Sequence, residues 1–150
     1  MSLFLVQHGK SLSGEIDPEQ GLSEEGVSES KRIAEVAGCY NVKVTQIKHS
    51  VKKRARQTAE IMADTLKPEN GMLEITGIKP MDDVAAAAGF LNNEQNIMLV
   101  GHLPFMERLT SFLITGAIEK PVFRFQNSGI VCLDKDPDWI IKWSLMPNIG

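Results

Sequence analysis

The sequence predicts an α/β fold: a mainly parallel sheet as the middle of three layers, helices on both faces, and an antiparallel edge at the C-terminal end. Three observations lead there. Short apolar runs alternate with segments of helical spacing in the order β-α-β-α-β-α-β-α. Two of those runs, around Leu3 to Val6 and Ile97 to Val100, show no polar alternation, as expected of strands buried on both faces. From Val122 onward the chain reads as strands joined by short turns.

The bulk numbers fit one domain over residues 1–150. At 150 residues, 43% apolar and 23% charged, the chain can bury a core of ordinary size. A net charge of -3 gives no reason to expect nucleic acid or an anionic membrane as partner. The apolar runs are far short of a membrane span, and the N-terminal one gives way at once to a polar turn, unlike a signal peptide. Cys39 and Cys132 stand far apart with no metal or redox spacing, so a reduced, cytoplasmic protein is expected. Cys132 lies in an apolar run and reads as a buried small hydrophobe.

The first strand ends in Gln7-His8-Gly9, and Ser11 to Gly21 is punctuated as a loop. Ser23 is a good N-cap, with Glu24 and Glu25 in the first turn where the helix dipole favours them. The apolar face of this helix is Val27, Ile33, Ala34, Val36 and Ala37, and Gly38 is expected to stop it. Val42 to Ile47 reads as a second strand, and Ser50 as the cap of a helix from Val51 to Leu66 with Ala55, Ala59, Met62 and Leu66 inward. Met72 to Ile78 is a short strand. Asp82-Asp83 opens a helix through Leu91. Asn96 to Val100 is a strand, and Pro104 to Ile114 a helix. Val122 to Gln126, Gly129 to Leu133 and Trp139 to Leu145 read as strands, the last two joined by a turn at 134–138.

Chemistry concentrates at two strand ends. His8 and His102 each close an apolar strand beside a glycine, and open α/β sheets place ligands at such ends. Lys52, Lys53, Arg54 and Arg56 crowd one helix start, where cations oppose the dipole unless an anion is present. The combination points to anion chemistry, with neutral His8 as nucleophile and His102 and Arg54 as donors. His49 is expected at the surface or behind the site. Two histidines without clustered carboxylates or thiolates make a poor ligand set, so no metal is expected. No phosphate loop or dinucleotide fingerprint is present, and no cofactor is expected.

Four ordered elements resemble the histidine phosphatase superfamily, whose fold is phosphoglycerate mutase-like. They are Val6-Gln7-His8-Gly9, Leu22-Ser23-Glu24-Glu25-Gly26, Ser50-Val51-Lys52-Lys53-Arg54-Ala55-Arg56-Gln57-Thr58-Ala59, and Val100-Gly101-His102-Leu103-Pro104. The short chain and the Gly-His-Leu-Pro element make it most similar to SixA-type phosphohistidine phosphatases. The resemblance implies in-line attack of His8 on phosphorus, a covalent phosphohistidine, and release of inorganic phosphate by water. It implies that Arg54 and His102 hold the phosphoryl oxygens, with His102 most useful as a cation.

Gln7 departs from the family, which usually has arginine there. It keeps a place among the phosphate-binding residues, but its amide carries no charge and no bidentate fork. Lys10, Lys52, Lys53 or Arg56 could restore positive potential. The leaving-group acid has no clear owner. Asp82 and Asp83 are the best candidates, although N-capping explains them equally well, and Asp17 and Glu15 are weaker. A site without a strong acid suits imidazole as leaving group better than an alkoxide. With no lid domain, the crevice is expected to be open and to accept phosphohistidine on a protein, such as a phosphotransfer domain. The alternatives are a general phosphomonoesterase acting on small phosphate esters, and a phosphate- or phosphoprotein-binding module with weakened catalysis.

Overall fold

The computed structural model describes residues 1–91 and 94–149. The chain runs β1 (Ser2–Gln7), α1 (Glu24–Cys39), β2 (Gln46–His49), α2 (Lys53–Leu66), β3 (Met72–Glu74), α3 (Val84–Leu91), β4 (Ile97–Gly101), α4 (Phe105–Thr115), β5 (Ile130–Lys135) and β6 (Trp139–Leu145). The strands form a six-stranded sheet ordered β3-β2-β4-β1-β5-β6. β1 and β2 both pair parallel to β4, and β2 pairs parallel to β3. β5 is antiparallel to both β1 and β6, which makes the C-terminal edge. The α/β architecture is the one the sequence predicts.

The absence of alternation in β1 and β4 has the expected cause. Leu3, Leu5, Ile97 and Leu99 point into a core with Val84, Ala87, Phe105 and Leu109 of α3 and α4. Phe4, Val6, Met98 and Val100 point to the other face, against Ile33, Ala34, Ala55, Ala59 and Met62 of α1 and α2. Each fully buried aliphatic side chain contributes about 1.5–3 kcal/mol, so these two strands anchor both cores. Cys132 is buried in the second core, as its sequence setting predicts.

Several boundaries differ from expectation. α1 runs through Gly38 to Cys39, and the chain turns at Asn41, whose φ is 58°. Val42 is spent closing that helix, its N–H bonding the Ala37 carbonyl, so β2 starts only at Gln46. α2 begins at Lys53 rather than Val51, with Lys52 as a cap that lends no side-chain bond. β3 ends at Glu74, and Gly77 (φ 87°) turns the chain so that Ile78 enters the α3–α4 core. Residues 122–126 form no strand. Phe123 and Phe125 alternate inward and meet edge to face at 5.7 Å, which mimics a strand pattern. The Phe125 N–H, however, donates to Glu107 Oε2 at 3.0 Å instead of to a ladder partner.

Candidate active site

β1 and β4 are hydrogen-bonded neighbours in register, Gln7 beside Gly101, so their ends deliver His8 and His102 to one place. The imidazole centroids lie 5.2 Å apart with the rings tilted by 55°. Arg54, from the first turn of α2, donates from Nε to His8 Nε2 at 3.4 Å. The structure therefore gathers the three residues that the sequence singles out, from three separate elements.

The environment of His8 fixes its tautomer. Nδ1 lies 2.7 Å from the Gly9 carbonyl, which can only accept, so Nδ1 carries the hydrogen. Nε2 then presents its lone pair beside Arg54. Burial lowers the His8 pKa; the Gly9 carbonyl opposes that shift and the Arg54 charge adds to it. A neutral imidazole with its lone pair held on Nε2 is the form a nucleophile needs.

The backbone around His8 is held from several sides. Its N–H bonds the Gly101 carbonyl at 3.0 Å, and Asn127 Nδ2 donates to its carbonyl at 2.9 Å. The Gly9 N–H donates to Thr58 Oγ1 at 2.9 Å, and that hydroxyl donates to the Arg54 carbonyl at 2.8 Å. One threonine thus locks the turn after His8 to the helix that carries Arg54. Glycine is required at position 9, because a Cβ there would stand 2.8 Å from Ser30 Oγ and 3.0 Å from Ser128 Oγ. Those two hydroxyls bond each other at 2.7 Å beneath the turn.

His102 is 1% exposed and its Nε2 bonds the Ser50 hydroxyl at 2.5 Å. Its Nδ1 has no hydrogen-bond partner among the described residues. Burial, then the neighbouring His8, Arg54 and Lys52, push its pKa down to about 3. With only protein groups around it the ring is neutral, contrary to the cation expected from the sequence. An incoming phosphoryl group brings negative charge that opposes this depression.

Other residues fall as follows. Ser50 is not the helix cap expected; its hydroxyl holds His102. Of the two places expected for His49, the surface and behind the site, the structure shows the second: it is buried, and its Nδ1 bonds the carbonyl of Ser50, the residue that holds His102, at 2.9 Å. Lys53 pairs with Asp17 at 3.1 Å, and Arg56 lies 3.6 Å from Glu60. Gln57 Oε1 accepts from the Leu22 N–H at 2.7 Å and ties the start of α1 to α2. Asp82 Oδ2 accepts from the Lys79 N–H at 2.8 Å, and Asp83 Oδ1 from the Ala85 N–H at 2.9 Å. Both aspartates line a cavity of about 420 Å³ beside Arg108 and Phe112, and the structure brings neither into hydrogen bond with the histidine pair. Glu15 is exposed in the first loop.

Gln7 lines a different, larger cavity of about 780 Å³, together with Lys10, Glu29, Leu103, Phe125 and Asn127 among others. The Gln7 Oε1 is buried without a partner among the described residues. Ser50, Thr58 and Asn127 were not marked as site residues by sequence reasoning. The signal for the first two was present: both belong to the Ser50–Ala59 motif, where only Arg54 had an assigned task.

The six-stranded sheet with its helices has the phosphoglycerate mutase-like fold shared by SixA-type phosphatase structures. No family model matches the chain. It is similar to phosphohistidine phosphatase SixA of Escherichia coli strain K12, with 25% identity over 153 aligned positions covering 98% of this chain and 94% of that protein. The structure of the protein histidine phosphatase SixA complexed with tungstate superposes with a TM-score of 0.86 at 24% identity, covering 98% of this chain and 97% of the other. A mycobacterial glucosyl-3-phosphoglycerate phosphatase bound to VO3 shares the fold, with a TM-score of 0.76 at 15% identity over 95% of this chain and 97% of its own.

Proposed function

We propose that this chain is a single-domain phosphatase that removes the phosphoryl group from phosphohistidine on a protein, with His8 as the covalent carrier. The observation that carries the reading is the Nδ1–H of His8 on the Gly9 carbonyl, which leaves the lone pair on Nε2, where the ring meets Arg54 Nε at 3.4 Å and lies 5.2 Å from the His102 ring. Similarity to SixA over nearly the whole chain supports phosphohistidine as the substrate.

In the first step the Nε2 lone pair bonds to phosphorus while the bond to the substrate's ring nitrogen breaks. Arg54 and His102 take the phosphoryl oxygens, with Gln7 donating an amide N–H beside them. In the second step water attacks phosphorus and the electron pair of the P–N bond returns to His8 Nε2. Because Nδ1 keeps its hydrogen on Gly9, His8 departs as neutral imidazole and needs no proton at the breaking bond. The products are inorganic phosphate and the starting ring.

The phosphoryl donor is a phosphorylated protein. Among the described residues no helix is long and apolar enough to cross a membrane. An exposed, unpaired Cys39 supports the cytoplasm as the compartment. The test is chemical trapping. The wild-type protein should acquire an acid-labile, base-stable phosphoryl label, and His8→Ala should acquire none. Equal labelling of the two, or no label with any phosphohistidine protein, would remove His8 from this role.

A further inference from the structure

The cavity of about 780 Å³ lies beside the backbone that carries the histidine pair: Gln7 and Leu103, the chain neighbours of His8 and His102, line it, and so does Asn127, whose Nδ2 donates to the His8 carbonyl at 2.9 Å. Its wall has two characters. Leu103 and Phe125 are apolar and suit the face of a flat ring. Gln7, Glu29 and Asn127 are polar. Two acceptors there are buried and unpartnered among the described residues, Gln7 Oε1 and Glu29 Oε1. Glu29 lies on α1, with its side chain 12% exposed, and among the described residues the one cation within 4.0 Å of its carboxylate is Lys10 at 3.9 Å. Lys10 itself is drawn away, bonding Glu25 at 2.6 Å. A buried acceptor without a donor is costly unless a ligand brings one.

We propose that this cavity holds the imidazole of the departing phosphohistidine, and that the Glu29 carboxylate accepts a hydrogen bond from its distal ring N–H. The inference rests on the phosphohistidine reading above and assigns the leaving-group side of that site. A phosphohistidine ring protonated on its distal nitrogen leaves as neutral imidazole: His8 Nε2 bonds phosphorus, the P–N bond breaks, and its electron pair stays on the ring nitrogen. No proton crosses to the bridging atom. Glu29 stabilises that N–H while the ring still carries positive charge, and this supplies what a conventional general acid would supply to an oxygen leaving group. The arrangement repeats what the Gly9 carbonyl does for His8. It also explains why Asp82 and Asp83 are free to cap backbone elsewhere.

The experiment compares wild type, Glu29→Gln and Glu29→Asp on two substrates, a phosphohistidine-bearing phosphotransfer protein and p-nitrophenyl phosphate, whose leaving group has no such N–H. The ratio of kcat/KM for the first over the second should fall about ten- to a hundredfold in Glu29→Gln, the worth of a hydrogen bond to a charged group. Its alkaline limb on phosphohistidine should move to lower pH, and Glu29→Asp should recover part of both effects. An unchanged ratio and pH profile, or parallel losses on both substrates, would overturn the assignment and leave Glu29 a structural residue. Failure of the wild-type protein itself to act on phosphohistidine would overturn the functional reading instead, and that result needs no Glu29 variant.

Discussion

In the proposed reaction, Gln7 sets how much positive charge meets the phosphoryl group. An arginine would bring a bidentate, charge-assisted contact, roughly twice as strong as a neutral hydrogen bond. The glutamine amide, by contrast, lines the large cavity with its Oε1 unpartnered among the described residues. Replacing a neutral contact with a charged one is worth about 1 kcal/mol in the bound state. Gln7→Arg should therefore raise kcat/KM for phosphohistidine roughly fivefold, measured by phosphate release. A variant no faster than wild type would show that the amide already suffices. At this scale the sequence was readable for the three residues that the structure brings together. His8, Arg54 and His102 stand out because strand ends and helix starts break local rules there. Residues that act on other residues were not readable: nothing in Ser50 distinguishes a hydroxyl that caps a helix from one that holds an imidazole.

One helix start organises the site. Along α2 and the bend before it, Ser50 holds His102, Arg54 reaches His8, Gln57 holds the start of α1, and Thr58 holds the turn after His8. The unfavourable cations at this N-terminus are dealt with separately. Lys53 and Arg56 face carboxylates and Lys52 is exposed, while Arg54 reaches His8. Thr58 is buried, and its hydroxyl bridges β1 to α2. Thr58→Val keeps the shape but leaves the Gly9 N–H unpaired, at a cost of about 1–3 kcal/mol. Urea unfolding should report that loss, Thr58→Ser should recover most of it, and the phosphoenzyme should form more slowly in the valine variant. A valine variant as stable as wild type would mean the bridge contributes nothing. Element boundaries were less legible than element order. The alternation of Phe123 and Phe125 looks like a strand, yet the Phe125 N–H that a ladder would use is claimed by Glu107 of α4.

For the whole molecule, the fold followed from period and burial, since β1 and β4 must feed two cores at once. That same construction places two histidines under shared burial and a nearby guanidinium, and stability inherits the consequence. An unfolded histidine takes a proton near its ordinary value of 6.5, whereas folded His102 does so only at about 3, and folded His8 is lowered as well. Above pH 6.5 both rings are neutral in both states and their contribution is complete. As pH falls below 6.5, the unfolded chain binds protons that the folded chain refuses, so stability declines toward the folded values, by at most about 1.4 kcal/mol per pH unit for each ring. Asp17 and Asp134 shift in the same direction, but from an ordinary value of 3.8, so they act mainly below pH 4. Between pH 6.5 and 4 the histidine pair is therefore the main source of the slope. Calorimetric Tm should fall through that window in wild type and fall less steeply in His102→Asn, which cannot titrate. Saturating inorganic phosphate should flatten the wild-type slope, because its negative charge raises both pKa values toward the unfolded one. Identical slopes in wild type and His102→Asn would show that the buried ring is not what makes the fold acid-sensitive.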